Sequence, residues 1–176
     1  MTDDRAAKVK LFLLDVDGVL TDGTILLNER GEEIKPFHVR DGLGLKLLMQ
    51  CGVEVVLITG RKSVAVEHRA KELGILKLYQ GVRDKGSLCE KLVMKAGLPK
   101  EAVCCMGDDL PDLAMFNHAG FAIAVADAVK EVREAADYIT RQKGGRGAVR
   151  EACEYLLKCK GKWDETLRMF RGNQAL

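Results

Sequence analysis

Leu11-Phe12-Leu13-Leu14-Asp15-Val16-Asp17-Gly18-Val19-Leu20-Thr21-Asp22 passes from an apolar stretch directly into two carboxylates and a glycine. The apolar part, Val9 to Leu14 with Lys10 inside it, has the length and composition of a buried strand. In an extended chain residues two apart point the same way, so Asp15 and Asp17 face one site. At the carboxyl end of a strand in a parallel sheet, they stand where open α/β sheets bind ligands. Two carboxylates this close repel, and each is costly to strip of water. A hard divalent cation such as magnesium relieves both costs. Taken alone, the same residues also fit an acidic turn after a core strand, and the rest of the chain must decide.

The totals narrow the field. At 176 residues, 47% apolar and 31% charged, the chain suits one domain, residues 1–176, with a real core. A net charge of +2 and 5% aromatics give neither the basic surface nor the stacking platforms of a nucleic-acid binder. The polar start, Met1-Thr2-Asp3-Asp4-Arg5, lacks the apolar core of a signal peptide, and no apolar run approaches the ~20 residues of a membrane helix. A cytoplasmic protein without a membrane partner is expected. The six cysteines contain no C-x-x-C, and Cys104-Cys105 lies in an apolar strand, so free structural thiols are expected. His38, His68 and His118 do not cluster and read as surface or loop residues.

Along the chain, Gly23 to Leu27 and Ile34 to Val39 read as a hairpin around Asn28-Glu29-Arg30-Gly31. Asp41 is expected to cap a helix to Cys51, which Gly52 stops. The strand Val53–Ile58 ends in Thr59-Gly60-Arg61, after which Ser63 caps a helix ending at Gly74. A short strand, Leu76–Tyr79, precedes a helix from Asp84 to Gly97, and Val103–Met106 is a strand broken by Gly107-Asp108-Asp109. A helix near Pro111–Phe116, a strand at Phe121–Val125, a helix near Val129–Ala135 and a strand at Tyr138–Thr140 follow. Gly144-Gly145-Arg146-Gly147 leads into a last helix to Leu157, and 158–176 reads as a loosely structured tail. Alternating strands and helices predict βαβ units, hence a three-layer α/β sandwich with a mostly parallel sheet.

Such a sheet gathers the residues after its strands at one edge. Asp15 can act there as a nucleophile through its carboxylate, and Asp17 as general acid and then base. Thr59 offers a hydroxyl and, with Gly60, backbone N–H groups for phosphate oxygens. Lys85 supplies a point charge, and Asp108, with Asp109 or Asp112 nearby, can complete a magnesium site with Asp15. Each has a bland reading, as a turn, a solvated lysine or a helix cap. Their order, each just past a strand or at a helix start, favours phosphate chemistry.

D-x-D-G-V-x-T-D, I-T-G-R, a lone lysine and G-D-D-x-x-D together resemble the haloacid dehalogenase superfamily of phosphohydrolases. Val39-Arg40-Asp41-Gly42, Ile58 to Lys62, Leu78-Tyr79-Gln80-Gly81 and Gly144 to Glu151 narrow the resemblance to members acting on 3-deoxy-D-manno-octulosonate 8-phosphate. It spans about Lys10 to Lys162. The resemblance implies a Rossmann-like sheet with a β-hairpin flap at 23–39 and no cap domain. It also implies a magnesium-dependent phosphatase working through an aspartyl-phosphate, in the synthesis of a lipopolysaccharide precursor. Asp15 would be nucleophile and metal ligand, Asp17 the acid/base and a ligand through its backbone carbonyl, and Asp108 the third ligand. Thr59 and Lys85 match phosphate-binding positions. The family's contacts to the sugar acid phosphate fall on Asp17, on His38, Val39, Arg40, Asp41 and Gly42, on Lys46, on Gly60 and Arg61, and on Arg69. Lys46 replaces an arginine found in some members, which keeps charge but loses the planar fork. Asp109 and Asp112 are expected to orient the site.

Three other readings are weaker. A phosphoacceptor signalling domain needs an aspartate after the third strand, where this chain has Tyr79-Gln80-Gly81. A phosphatase for a related nonulosonate 9-phosphate is expected to carry an acidic residue at Arg61. A non-catalytic assembly module would not need Asp15, Asp17, Lys85 and Asp108 together. The stretches from Asp15 to Thr59 and from Lys85 to Asp108 are filled by the elements above, leaving no room for a cap. Cover from other subunits is therefore expected, and the resemblance implies a homotetramer in which the hairpin and the tail from Gly144 cover neighbouring sites.

Overall fold

The computed structural model describes residues 3–171. Its central strand is β1 (Leu11–Leu14), whose four residues are all buried, as a strand covered on both faces requires. After it come β2 (Leu26–Leu27), β3 (Glu33–Ile34), β4 (Glu54–Ile58), β5 (Lys77–Tyr79), β6 (Val103–Gly107), β7 (Phe121–Ala124) and β8 (Tyr138–Ile139). The helices are α1 (Asp4–Ala7), α2 (Val39–Gln50), α3 (Val64–Leu73), α4 (Lys85–Ala96), α5 (Leu113–Phe116), α6 (Lys130–Ala135), α7 (Ala148–Cys159) and α8 (Trp163–Phe170). Six strands form one sheet in the order β5-β4-β1-β6-β7-β8, every pair parallel, while β2 and β3 pair antiparallel by themselves. Leu11 to Leu14 align with Glu54 to Leu57 on one side and Val103 to Met106 on the other. This register brings the ends of β1, β4 and β6 level.

Two adjacent cysteines show the layers. Successive strand residues point to opposite faces. The Cys105 thiol donates to the Met115 carbonyl of α5 at 3.4 Å, as the Cys89 thiol of α4 does at 3.8 Å. Cys104 faces the other way, beside Cys153 of α7. Helices α4, α5 and α6 pack together in one layer, and α7 packs with α1, α2 and α8 in the other. All six cysteines are free thiols; Cys89, Cys104, Cys105 and Cys153 are buried packing residues.

Several expectations need correction. Asp41 does not cap α2: the helix starts at Val39 with His38 as N-cap, and the buried Asp41 accepts the Arg150 backbone N–H at 2.7 Å. Its carboxylate ties α2 to the start of α7 instead. Ser63 does precede α3, but its side chain makes no capping hydrogen bond. The flap is mostly irregular, its paired strands only two residues each, with Pro36 unable to extend the ladder. The expected helix at 111–116 divides into a 3₁₀ turn, Leu110–Asp112, followed by α5. α1 was not anticipated; Asp3 caps it by accepting the Arg5 N–H at 2.8 Å.

The tail is not loose through residue 170. α8 buries Thr166, and Trp163 lies under the Arg150 guanidinium and the Lys158 ammonium. The part of that tail at 172–176 lies outside the described residues. The glycine-rich loop seats on its own chain: Gly145 N–H donates to Val19 O at 2.9 Å and Gly144 N–H to Asp127 Oδ1 at 2.9 Å. A Cβ at Gly144 would overlap the Gly18 carbonyl, so the loop braces the turn after β1. Among the described residues no helix is long and apolar enough to cross a membrane.

Candidate active site

Asp15 is the first residue beyond β1, and its N–H donates to Met106 O at 3.0 Å, levelling it with the end of β6. The chain then turns sharply, the Val19, Leu20 and Thr21 N–H groups converging on Val16 O. Gly18 makes this possible with φ +93°, a region that residues with a Cβ avoid. A Cβ there would also overlap the Asp108 carboxylate.

Lys85 opens α4, whose start is held by Asp84 accepting the Ser87 N–H at 2.9 Å. Its ammonium donates to Asp15 Oδ1 at 2.5 Å and Asp112 Oδ1 at 2.6 Å, with the lysine side chain only 8% exposed. Asp112 Oδ2 accepts the backbone N–H groups of Asp108 at 3.0 Å and Asp109 at 3.3 Å. Both oxygens of Asp112 are thus engaged, and its geometry is that of a scaffold residue. Asp109 caps the 3₁₀ turn through the Leu110 N–H, which also fits an orienting role.

One oxygen from each of Asp15, Asp108 and Asp112 lies within 4.8 Å of the others. Burial, then the charges of Asp15, Asp112 and Asp109, push the Asp108 carboxyl up to about 8. Burial and Asp112 push Asp15 up to about 7 against the pull of Lys85. Burial opposes the charge on Lys85 as well, but the two carboxylates more than offset it and raise its pKa. Asp108 Oδ1 is buried and has no hydrogen-bond partner among the described residues. An orphaned, hard carboxylate oxygen beside a second carboxylate fits a magnesium ion, which would draw on Asp15 and Asp108.

Asp17 is turned away from this trio. Its Oδ2 accepts the Thr59 hydroxyl at 3.0 Å and its Oδ1 the Lys35 ammonium from the flap. Thr59, just past β4, also accepts the Arg61 N–H at 3.1 Å through its Oγ1. Arg61 reaches Glu33 Oε1 of the flap at 2.8 Å. Asp15, Asp17, Thr59, Gly60, Arg61, Lys85 and Asp108 line one cleft of about 320 Å³.

The remaining expected contacts do not line that cleft. His38, Val39, Asp41 and Gly42 belong to the start of α2, and Lys46 is exposed further along it. Arg69 donates to Glu72 at 2.8 Å and to His38 O at 3.5 Å, above the Phe37 ring. It fills the space a Cβ at Gly42 would need. Arg40 borders a second cleft of about 470 Å³ with Arg141, Arg146 and Arg150. Lys35 and Glu33 were not anticipated. Their signal was two charges at alternate positions around Ile34, the inverse of a hairpin that buries its apolar face.

A family profile described as haloacid dehalogenase-like hydrolase matches residues 74–152. The chain is 47% identical over 161 residues to the 3-deoxy-D-manno-octulosonate 8-phosphate phosphatase of Escherichia coli strain K12, covering 92% of this chain and 86% of the relative. Against the Yersinia pestis phosphatase of that name it is 44% identical over 158 residues, 90% of this chain and 84% of the relative. The crystal structure of the Moraxella catarrhalis phosphatase, in complex with a magnesium ion, a phosphate ion and a KDO molecule, is similar with a TM-score of 0.92 at 46% identity, over 94% of this chain and 95% of that one. The cobalt-bound phosphatase of Haemophilus influenzae gives 0.87 at 40% identity, over 90% of this chain and 93% of that one.

Proposed function

The chain belongs to the haloacid dehalogenase-like hydrolases, among the 3-deoxy-D-manno-octulosonate 8-phosphate phosphatases, and on that premise we propose how its residues carry the reaction. It is a magnesium-dependent phosphoric monoester hydrolase that converts 3-deoxy-D-manno-octulosonate 8-phosphate to the free sugar acid and phosphate. We place this step in lipopolysaccharide precursor synthesis, in the cytoplasm. The observation that carries the residue assignment is Lys85 bridging Asp15 and Asp112 beside the orphaned Asp108 Oδ1.

Magnesium, held by Asp15, Asp108 and the Asp17 backbone carbonyl, would neutralise the anionic phosphoryl group and carboxylate that must meet. Asp15 attacks phosphorus while Asp17 gives its proton to the departing sugar oxygen, leaving an aspartyl-phosphate on Asp15. Asp17 then takes a proton from the water that attacks phosphorus, which frees phosphate and restores Asp15. Lys85, the Thr59 hydroxyl and the Gly60 N–H hold the phosphoryl oxygens through the transfer. Arg61, at the cleft edge, is suited to the sugar's carboxylate. His38 to Gly42, Lys46 and Arg69 lie off the cleft of their own chain, which supports a homotetramer in which neighbours bring them to the substrate.

Phosphate release from a panel of sugar acid phosphates, with and without magnesium, tests this reading. The eight-carbon substrate should be preferred and chelation should abolish turnover. Asp15→Asn should keep the fold and lose activity by several orders of magnitude. Turnover that survives either treatment would overturn the mechanism.

A further inference from the structure

The flap is built inside out. In a hairpin lying on a core, alternation turns the apolar side chains inward and the charged ones to water. Here Ile34 is 55% exposed, while the Lys35 side chain is 3% exposed and that of Glu33 12%. Burying a lysine to this degree is unfavourable unless its ammonium is fully matched. Lys35 is matched by two carboxylates, Asp17 Oδ1 and Glu33 Oε1, the latter at 3.2 Å. Glu33 is itself fixed by Arg61 at 2.8 Å. The arrangement leaves Ile34 in solvent, and what it secures is the contact of Lys35 with Asp17.

Asp17 is gripped from two sides. Thr59, at the end of a core strand, donates to Oδ2 at 3.0 Å, and Lys35 donates to Oδ1. Two donors on two oxygens set the plane of the carboxylate, which neither could do alone. Lys35 does not line the cleft, whereas Asp17 does. We propose that Lys35 is a positioning residue for the acid/base: with Thr59 it orients the Asp17 carboxyl toward the leaving oxygen, and the flap serves to deliver it. This rests on the reading of Asp17 as the acid/base.

Leaving groups separate positioning of an acid from binding of the phosphoryl group. A sugar alkoxide needs a proton to depart, whereas p-nitrophenolate does not. The loss of Lys35 should therefore fall on one substrate and largely spare the other. In Lys35→Met, kcat/KM for the octulosonate phosphate should fall roughly 10²-fold, the lower end of what a positioned general acid contributes, and that for p-nitrophenyl phosphate less than about threefold. The aryl activity also reports that the variant is folded and holds its metal. Lys35→Arg, which keeps the charge, should restore most of the loss. Equal losses on both substrates would assign Lys35 to the phosphoryl group or to the flap's shape, and no loss on either would make it inert; each overturns the proposal. Asp17→Asn is the control for the underlying reading. If its single-turnover release of sugar and of p-nitrophenolate are equally impaired, the acid/base assignment itself is wrong. If Asp17→Asn discriminates and Lys35→Met does not, only the role of Lys35 is refuted.

Discussion

Asp108 Oδ1, buried and unpartnered beside the carboxylates of Asp15 and Asp112, makes the metal-free protein unstable in a way that pH should reveal. Burial, then the neighbouring charges, pushes this carboxyl up to about 8. In the unfolded chain it titrates near the ordinary aspartate value of about 3.9. Between those values the folded protein binds the extra proton, so stability falls as pH rises through the window. In chelator, Tm should drop between pH 5 and pH 8 (a scan by calorimetry), and added magnesium should reverse the drop. Asp108→Asn should reduce the pH dependence to the share that Asp15, itself raised to about 7, contributes, and raise Tm at pH 8 in chelator, by roughly 2–4 °C for each kcal/mol of repulsion removed. It should also abolish stabilisation by magnesium. A pH-independent Tm in chelator would contradict this account of the cluster.

Helices α3 and α4 begin differently, and the difference bears on the site. Asp84 accepts the Ser87 N–H and so fixes the turn that presents Lys85, whereas Ser63 makes no such bond. Asp84→Ala should lower the urea midpoint and weaken turnover, because Lys85 loses its anchored helix start. Ser63→Ala should leave the midpoint where it is. Equal midpoints in the two variants would mean that capping does not hold α4 in place. These elements also mark what could be read from the chain. Asp84, Gly74 and Gly97 stood at helix ends because capping and left-handed turns are local physics, expressed within a few residues. The strands were legible because a parallel sheet buries both faces and leaves continuous apolar runs. Asp15, Thr59 and Asp108 followed from their places just past strands, and Lys85 from its place at a helix start. What stayed hidden was decided at long range. Asp41 looked like a cap, but Arg150, distant in sequence, claims its carboxylate. α8 was missed because Trp163 packs on Arg150 and Lys158 rather than ending an apolar stripe. Lys35 gave no local signal of its partner, since Asp17 lies across a turn and a loop.

At the scale of the whole molecule the question is what covers the cleft. Between Asp15 and Thr59 the chain holds only β2, β3, α2 and β4, and between Lys85 and Asp108 only α4, a 3₁₀ turn at Lys100–Ala102 and β6. No cap domain occupies either place, yet acyl-phosphate chemistry is favoured where water is kept out. The flap's charged face turns in toward Asp17, which leaves the paired Leu26 and Ile34 exposed on the opposite face, with Ile25, Leu27 and Val39 exposed as well. Fully burying one such side chain is worth about 1.5–3 kcal/mol, so several together give an association surface of real strength. A second copy of this chain is the occupant we expect, because it would also bring Arg40, Lys46 and Arg69 from outside the cleft to the sugar end of a bound substrate. Light scattering should give four times the mass of the chain at assay concentration. Leu26→Asp combined with Ile34→Asp, the cross-strand pair of that face, should yield smaller species in which KM for the octulosonate phosphate rises steeply, while p-nitrophenyl phosphate, which has no sugar end to be read, is hydrolysed at a similar kcat/KM. Dilution of the unmodified protein through its dissociation range should produce the same divergence between the two substrates. A monomer with undiminished activity toward the octulosonate phosphate would show that one chain suffices, and that the apolar face of the flap serves something other than catalysis.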